Sequence, residues 1–322
     1  MQLLSTDHPP APTALLADVR RSRTAGGAPH QQTLDAWGLR PLTGGRNNHV
    51  YSWTGPTGPL CMKIYKLDER QRAQREWRAL TLIARHGGDY APAPLWIDEA
   101  SDQPIIGMSL LPGCPLLDVE DMPVALKAVA ETTRAVQDIP LSGPLSGWDR
   151  IDSAEHYVAR LRDVWPAQLA DHADDPQTGD MLALLRCWGD SGDAETLATP
   201  TSDVFSRGDA NLLNWLHDGD TVRCVDFEFS GRSDVAFDAA DQIEHISSRA
   251  IPDDTWHELE ANLGVDHHNR QRFQAAQRTC ALRWLAVLWK QRHRRVQEFT
   301  IQLDRVRQLQ HCLQAPAARQ AH

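Results

Sequence analysis

From Leu34 onward, short apolar runs alternate with polar positions and are cut by Gly, Pro and Asp: LDAWGLRPLTGG, HVYSWTG, PTGPLCMKIYKL and, further on, APLWIDEASDQPIIGMSLL. Runs of this length and punctuation predict a small antiparallel sheet joined by hairpins. One helix interrupts it over about 68–85, where Trp77, Leu80, Leu82 and Ile83 give an apolar face among Arg, Gln and Glu. That face is expected to pack on the sheet. After Pro112 and Gly113 the spacing becomes helical, over 123–137, 154–169, 177–188, 239–248, 255–263, 269–290 and 294–312, with a β-rich insert at 204–229. Residues 1–33 show no sustained period beyond a short helical stretch at 13–19 and read as a loosely held extension; 315–322 read as a tail. The order implies an α+β fold of two lobes, a sheet-rich small lobe over 34–112 and a larger, mainly helical lobe over 113–314.

Composition narrows the classes. A chain of 322 residues, 41% hydrophobic, can fill the cores of two lobes. Its net charge of −10 argues against a general nucleic-acid binder, which needs a basic face to neutralise phosphates. No run approaches the roughly 18 apolar residues of a membrane span, and the first residues carry no basic segment before an apolar one, so a cytoplasmic protein without a membrane partner is expected. The six cysteines are scattered without a C-x-x-C pair and read as reduced, mostly buried thiols.

The most informative segment is Ser206-Arg-Gly-Asp-Ala-Asn-Leu-Leu-Asn-Trp-Leu followed by Val222-Arg-Cys-Val-Asp-Phe-Glu-Phe-Ser-Gly. Gly208 permits a tight turn, and Leu212, Leu213, Trp215 and Leu216 are expected to anchor the next segment, fixing Asn214 relative to Asp209. The turn HDGD closes a hairpin whose second strand returns Asp226 to the end occupied by Asn214. Two oxygen donors there could hold Mg²⁺, which favours one or two carboxylates plus phosphate oxygens. Phosphoryl transfer needs a positioned hydroxyl and neutralised phosphates, so Asp209 would take the hydroxyl proton while Asn214 and Asp226 carry the metal.

The combined order G-D-x-x-x-x-N, V-D-F-E and S-D-V-A-F-D resembles the aminoglycoside phosphotransferase and choline kinase family, which shares the bilobal protein-kinase-like fold. The resemblance runs from about residue 39 to 288 and is strongest over 206–241. It implies a catalytic base at Asp209, metal ligands at Asn214 and Asp226, and a loop-steadying aspartate at Asp238. It further implies ATP, with GTP left open, held at its phosphates by Lys63 of the strand Cys61-Met62-Lys63-Ile64 and oriented by Glu76 of REWRAL. The loop Leu42-Thr-Gly-Gly-Arg-Asn-Asn-His resembles the family's nucleotide-covering loop, with Gly44 and Gly45 letting backbone amides approach phosphate and Asn48 at the matching position. The adenine edge is placed against Ser109–Leu111. The chain departs from the family in carrying Arg207 where His usually precedes Gly-Asp, and Asn211-Leu-Leu-Asn where H-P-G-N is usual.

No G-x-x-x-x-G-K-[ST] occurs, nor does Phe227 lead into Gly as in the D-F-G of protein kinases. The expected partner is therefore a small hydroxylated molecule. Asp241 and Glu244 hint at a cationic acceptor such as an aminoglycoside, amino sugar or choline-like amine, although both could be solvated on one helix face. Glu228 and Asp234 read equally as caps and stay outside the catalytic set. His267 and His268 read as a polar turn, and 290–295 as a basic helix end. The competing reading is a nucleotide-binding regulatory protein with impaired catalysis, motivated by Arg207 and the altered loop at 211–214.

Overall fold

Alternation of side chains across a strand, and 3.6-residue spacing along helices, account for the small lobe of this computed structural model, which describes residues 9–42, 48–56, 58–66, 68–99, 103–219 and 221–314. Strands Arg40–Pro41 (β1), His49–Gly55 (β2), Gly58–Ile64 (β3), Pro94–Asp98 (β4) and Ile105–Ser109 (β5) form an antiparallel sheet of order β1-β2-β3-β5-β4. Leu60, Met62 and Ile64 of β3 are buried with Tyr51, Trp53, Trp96 and Ile105 in one core. The intervening Lys63 must then point to the other face, which helix Arg72–Arg85 covers. That helix buries Arg72, Ala73, Glu76, Ala79, Leu80 and Ile83, a single stripe at helical spacing, so Glu76 is carried on the buried stripe.

The N-terminal segment corrects the expectation of a loose extension. Helices Thr13–Arg21 (α1) and Gln31–Trp37 (α2) precede Arg72–Arg85 (α3). Leu15, Leu16, Val19 and Leu34 share the core of the outer sheet face, and Arg20 pairs with Asp98 at 2.9 Å. The sheet face opposite α3 is apolar and needs a cover, which a nine-residue helix provides although its sequence is too short to show a period.

In the large lobe come Cys114–Pro115 (β6), Met122–Gln137 (α4), Ala154–Ala159 (α5), Trp165–Ala170 (α6), Thr178–Gly189 (α7), Asp193–Ala198 (α8), Val204–Ser206 (β7), Trp215–His217 (β8), Val222–Cys224 (β9), Gly231–Ser233 (β10), Val235–Glu244 (α9), Asp253–Leu259 (α10), Arg270–Trp289 (α11) and Val296–Gln314 (α12). The single helix expected over 154–169 is broken by a π-helical turn at Arg160–Val164. Pro166 has no N–H to donate back along the helix, and a widened turn accommodates the missing bond. The helix expected from 239 begins at Val235, because Asp234 caps it by accepting from the Phe237 N–H at 2.9 Å. The expected insert supplies β7, β8 and β9, of which β7 pairs with β10 and β8 with β6, both outside it, giving a three-stranded sheet β6-β8-β9 and a pair β10-β7. Among the described cysteines, Cys224 and Cys280 are buried, Cys61 and Cys187 half-buried and Cys114 exposed, so burial is less general than expected. No described helix is long and apolar enough to cross a membrane.

Candidate active site

The loop after β7 is built around Gly208, which sits at φ +81 with its Cα so close to the chain after Asp226 that a Cβ would lie 2.1 Å from the Phe229 carbonyl oxygen. Glycine alone fits both demands. A Gly208→Ala protein is expected to lose at least about 1–2 kcal/mol from the left-handed backbone alone, with more from the clash, and to lose turnover with it; chemical denaturation alongside an activity assay checks this.

Asp209 follows, half-buried. Its Oδ1 accepts from the Asn211 N–H at 2.9 Å and its Oδ2 from Asn214 Nδ2 at 2.7 Å. The 3-10 turn Leu212–Asn214 places Asn214, and Leu212 and Trp215 anchor it in the core. Leu213, expected to share that anchoring, is instead 51% exposed, because a 3-10 turn points only one of two adjacent side chains inward. The expected β8–β9 hairpin pairs Trp215 with Cys224, and the Val225 N–H donates to the Asn214 carbonyl at 2.9 Å. Asp226, next in the chain, is thus brought beside Asn214.

Asp226 holds a left-handed backbone at φ +68, uncommon for a residue with a side chain. Its Oδ1 accepts from Lys63 Nζ at 2.7 Å across the two lobes. Lys63 also reaches Glu76 at 2.6 Å and Glu228 at 3.2 Å. Burial alone would lower the Lys63 pKa, but Asp226, Glu76 and Glu228 outweigh it and hold the ammonium well above its usual value. Glu76 also accepts from the Tyr65 hydroxyl and from the Phe227 N–H. Burial pushes its pKa up, against the pull of Lys63.

Glu228 belongs at this centre, although sequence reasoning left it out. It is 1% exposed and takes hydrogen bonds from Arg72 at 3.0 Å and from Asn48. The available signal was its position two residues after Asp226 in V-D-F-E. Oxygens of Glu76, Asp226 and Glu228 lie within 4.8 Å of one another, a spacing that could hold a metal ion. Here Lys63 Nζ bonds all three, so the ammonium stands where a cation among these carboxylates would stand.

The other residues singled out from sequence divide. Asn48 is committed to protein partners: its amide nitrogen donates to Glu228 and its oxygen accepts from the Lys66 N–H. The Ser109 N–H donates to the Ala93 carbonyl and its hydroxyl oxygen accepts from the Ala93 N–H, and Leu111 follows half-buried at the lobe crossover. Gly44 and Gly45 lie outside the described residues.

Asp238 supports the Gly208–Asp209 loop through an intermediary. Arg150, absent from the sequence reading, donates to Asp238 at 2.8 Å, to Asp241 at 2.5 Å and to the Gly208 carbonyl at 3.1 Å. Asp241 is therefore paired inside the protein, as is Glu244, which Arg305 grips at 2.6 and 3.0 Å. The hint of a cationic acceptor drawn from these two acids is withdrawn, since neither carboxylate is left for a ligand.

Arg207 is buried, donates to the Val225 carbonyl at 3.3 Å and lies over the Trp215 ring at 5.1 Å. Burial raises the Asp209 pKa; Arg207 opposes that rise, and Asp226 adds to it. His245, also missed from sequence, has its Nδ1 facing the Ser247 N–H at 3.1 Å and packs edge-on against Trp284 at 4.4 Å. Burial takes its pKa down to about 4 against the pull of Asp209, so the ring is neutral near pH 7 with its proton on Nε2.

A sequence profile of the phosphotransferase enzyme family matches residues 38–258. A comparison with curated protein sequences finds no match. Among solved structures, a choline/ethanolamine kinase family protein from Mesorhizobium loti superposes with a TM-score of 0.58 at 18% identity, covering 94% of this chain and 96% of its own. A thermostable mutant of aminoglycoside phosphotransferase APH(4)-Ia in ternary complex with AMP-PNP and hygromycin B gives 0.63 at 14%, covering 88% and 97%. Choline kinase from Cryptosporidium parvum Iowa II gives 0.60 at 13%, covering 92% and 96%. The fold is the expected bilobal, protein-kinase-like α+β fold.

Proposed function

The chain belongs to the phosphotransferase enzyme family, and from there we propose that it transfers the γ-phosphoryl group of ATP to a hydroxyl of a small molecule in the cytoplasm. The observation that carries this reading is the cross-lobe bond from Lys63 to Asp226 at 2.7 Å, beside an Asp209 held by Asn214 at 2.7 Å. One pair handles phosphate charge, the other the acceptor proton. Asp209 would accept the hydroxyl proton and align the oxygen for in-line attack. Lys63, fixed by Glu76, would orient the nucleotide phosphates, the loop bearing Gly44, Gly45 and Asn48 would cover them, and the adenine edge would lie along Ser109–Leu111.

Asn214 and Asp226 fit a hard cation: Asn214 spends its amide nitrogen on Asp209, which leaves its oxygen for another partner, and Asp226 engages Lys63 through one of two oxygens. Mg²⁺ bound there would neutralise charge on the transferred phosphoryl group. The regulatory alternative rested on Arg207 and the altered loop at 211–214. Arg207 secures Val225 and leaves the Asp209–Asn214 bond in place, which favours transfer.

The testing measurement is MgATP-dependent ADP release across aminoglycosides, choline-like amines, amino sugars, neutral sugars and hydroxy acids. A signal from any of them that Asp209→Ala abolishes supports the reading; MgATP binding with no turnover on any hydroxyl compound would favour the regulatory role. With an acceptor in hand, kcat/KM is expected to fall on acidification at a pH above the ordinary aspartate value, since Asp209 must be ionised and burial raises its pKa. Removing the opposing cation in Arg207→Met should move that limb to still higher pH, and pH–rate profiles of both proteins check the sign.

A further inference from the structure

Between the π-turn Arg160–Val164, α6 and the last turns of α11 lies a cavity of about 120 Å³. One water needs only about 10–15 Å³, so a small ligand group can enter. Its polar lining is Arg160, Trp165, Gln168, Arg283, Lys290 and Gln291, with no carboxylate among the described lining residues. In a chain of net charge −10, three cations gathered around one cavity run against the overall field.

Neighbouring arginines show the contrast. Arg162, Arg278 and Arg292, on or beside the same elements, pair with Glu195 at 2.7 Å, Asp193 at 2.5 Å and Asp175 at 2.8 Å. Arg160, Arg283 and Lys290 form no ion pair among the described residues. Arg283 lies over the Tyr157 ring at 5.4 Å, a contact that uses its face and not its N–H donors. The indole N–H of Trp165, a residue 1% exposed, and the Arg283 Nε–H are both buried without an acceptor. Leaving such a donor unmet costs about 1–3 kcal/mol, which an acceptor in the cavity would recover once the two side chains turn toward it. The plain alternative is solvation, which suits exposed Lys290 at the C-terminal end of α11, where the helix dipole also favours a cation. It does not suit the buried indole and guanidinium N–H groups.

We infer that this cavity binds the anionic group, carboxylate or phosphate, of a small molecule, with Arg160, Arg283 and Lys290 supplying the charge and Trp165 a hydrogen bond. Arginine forks match both anions. The site touches the machinery of the catalytic loop by direct contacts. Tyr157, beneath Arg283, bonds Asp241 at 3.2 Å, and Asp241 holds Arg150, which donates to Gly208. The anion is either the far end of the phosphoryl acceptor or a separate molecule.

The first arm of the test is independent of the transferase reading. The Trp165 indole N–H signal, assigned with Trp165→Phe among the eleven tryptophans, is followed by ¹H–¹⁵N NMR as sodium phosphate replaces chloride at constant ionic strength. A saturable shift is expected, with the apparent Kd raised at least tenfold in Arg160→Gln/Lys290→Gln. An unmoved signal, or the same Kd in that variant, overturns the proposal. The second arm compares ADP release with hydroxy acids and sugar phosphates against neutral sugars. Turnover restricted to anionic acceptors, with KM raised at least tenfold in Arg283→Gln, assigns the anion to the acceptor; turnover of neutral acceptors with non-competitive effects of phosphate assigns it to a separate molecule.

Discussion

Replacing Asp209 with asparagine should lower turnover by about 10²–10⁴-fold, the range that a positioned proton acceptor contributes, while leaving the fold and nucleotide affinity close to wild type. The two parts of this expectation have separate grounds. Asparagine keeps the size of the side chain and an oxygen that can take the Asn211 or Asn214 bond, but it cannot accept the hydroxyl proton. Burial already disfavours the Asp209 carboxylate, so removing its charge puts no new strain on the loop. Lys63, Glu76 and Asp226 are untouched, so MgATP binding measured by calorimetry should change little. A variant that kept most of its turnover would show that Asp209 is not the proton acceptor.

Arg150→Met is expected to give the largest loss of stability, about 3–5 kcal/mol, the cost of leaving buried charges without their partner. Arg150 is 3% exposed and lies between Asp238 and Asp241, which are 8% and 2% exposed. Removing it strands two acids and takes a donor from the Gly208 carbonyl, so turnover should fall as well. The pH dependence gives a second signature. Burial raises the Asp241 pKa and Arg150 opposes the rise, so without Arg150 it must rise further. An acid whose pKa is raised by folding destabilises the native state above that pKa and ceases to do so once protonated. The deficit of Arg150→Met relative to wild type should therefore shrink as pH falls through the Asp241 pKa. Guanidinium denaturation at a series of pH values measures it; a deficit independent of pH would mean that packing, not charge, dominates.

Much of the small lobe was legible because its signals are local. Short alternating runs announced strands β2 to β5 and helical spacing announced α3, whereas Lys63 and Glu76 were assigned by resemblance and only the structure showed Glu76 on the buried side of α3. A glycine before Asp209 and a hairpin turn after Trp215 likewise declared the loop and the hairpin, whose register the structure supplies. The failures are equally specific. The helical stretch at 13–19 is legible in the sequence, but its place in the core is not, because its burial depends on a sheet face supplied by residues 51–105. Asp241 and Glu244 resemble a solvated helix edge in sequence, yet α9 is enclosed by α11 and α12, whose Arg305 takes up one acid while Arg150 takes up the other.

The sequence by itself determined the two-lobe order and the loop carrying Asp209 and Asn214, because periodicity and turn chemistry act over a few residues, while the strand lysine and the helix glutamate came from the family resemblance. Only the tertiary structure decided the role of Glu228, the bridge from Arg150 to the catalytic loop, the place of His245 and the cationic cavity beside α11. Lys63 meets Asp226 across 163 positions and Arg150 meets Asp238 across 88. Pairs that far apart leave no local pattern, since what joins them is the burial of the surfaces that carry them, and an unpaired buried charge is too costly to remain.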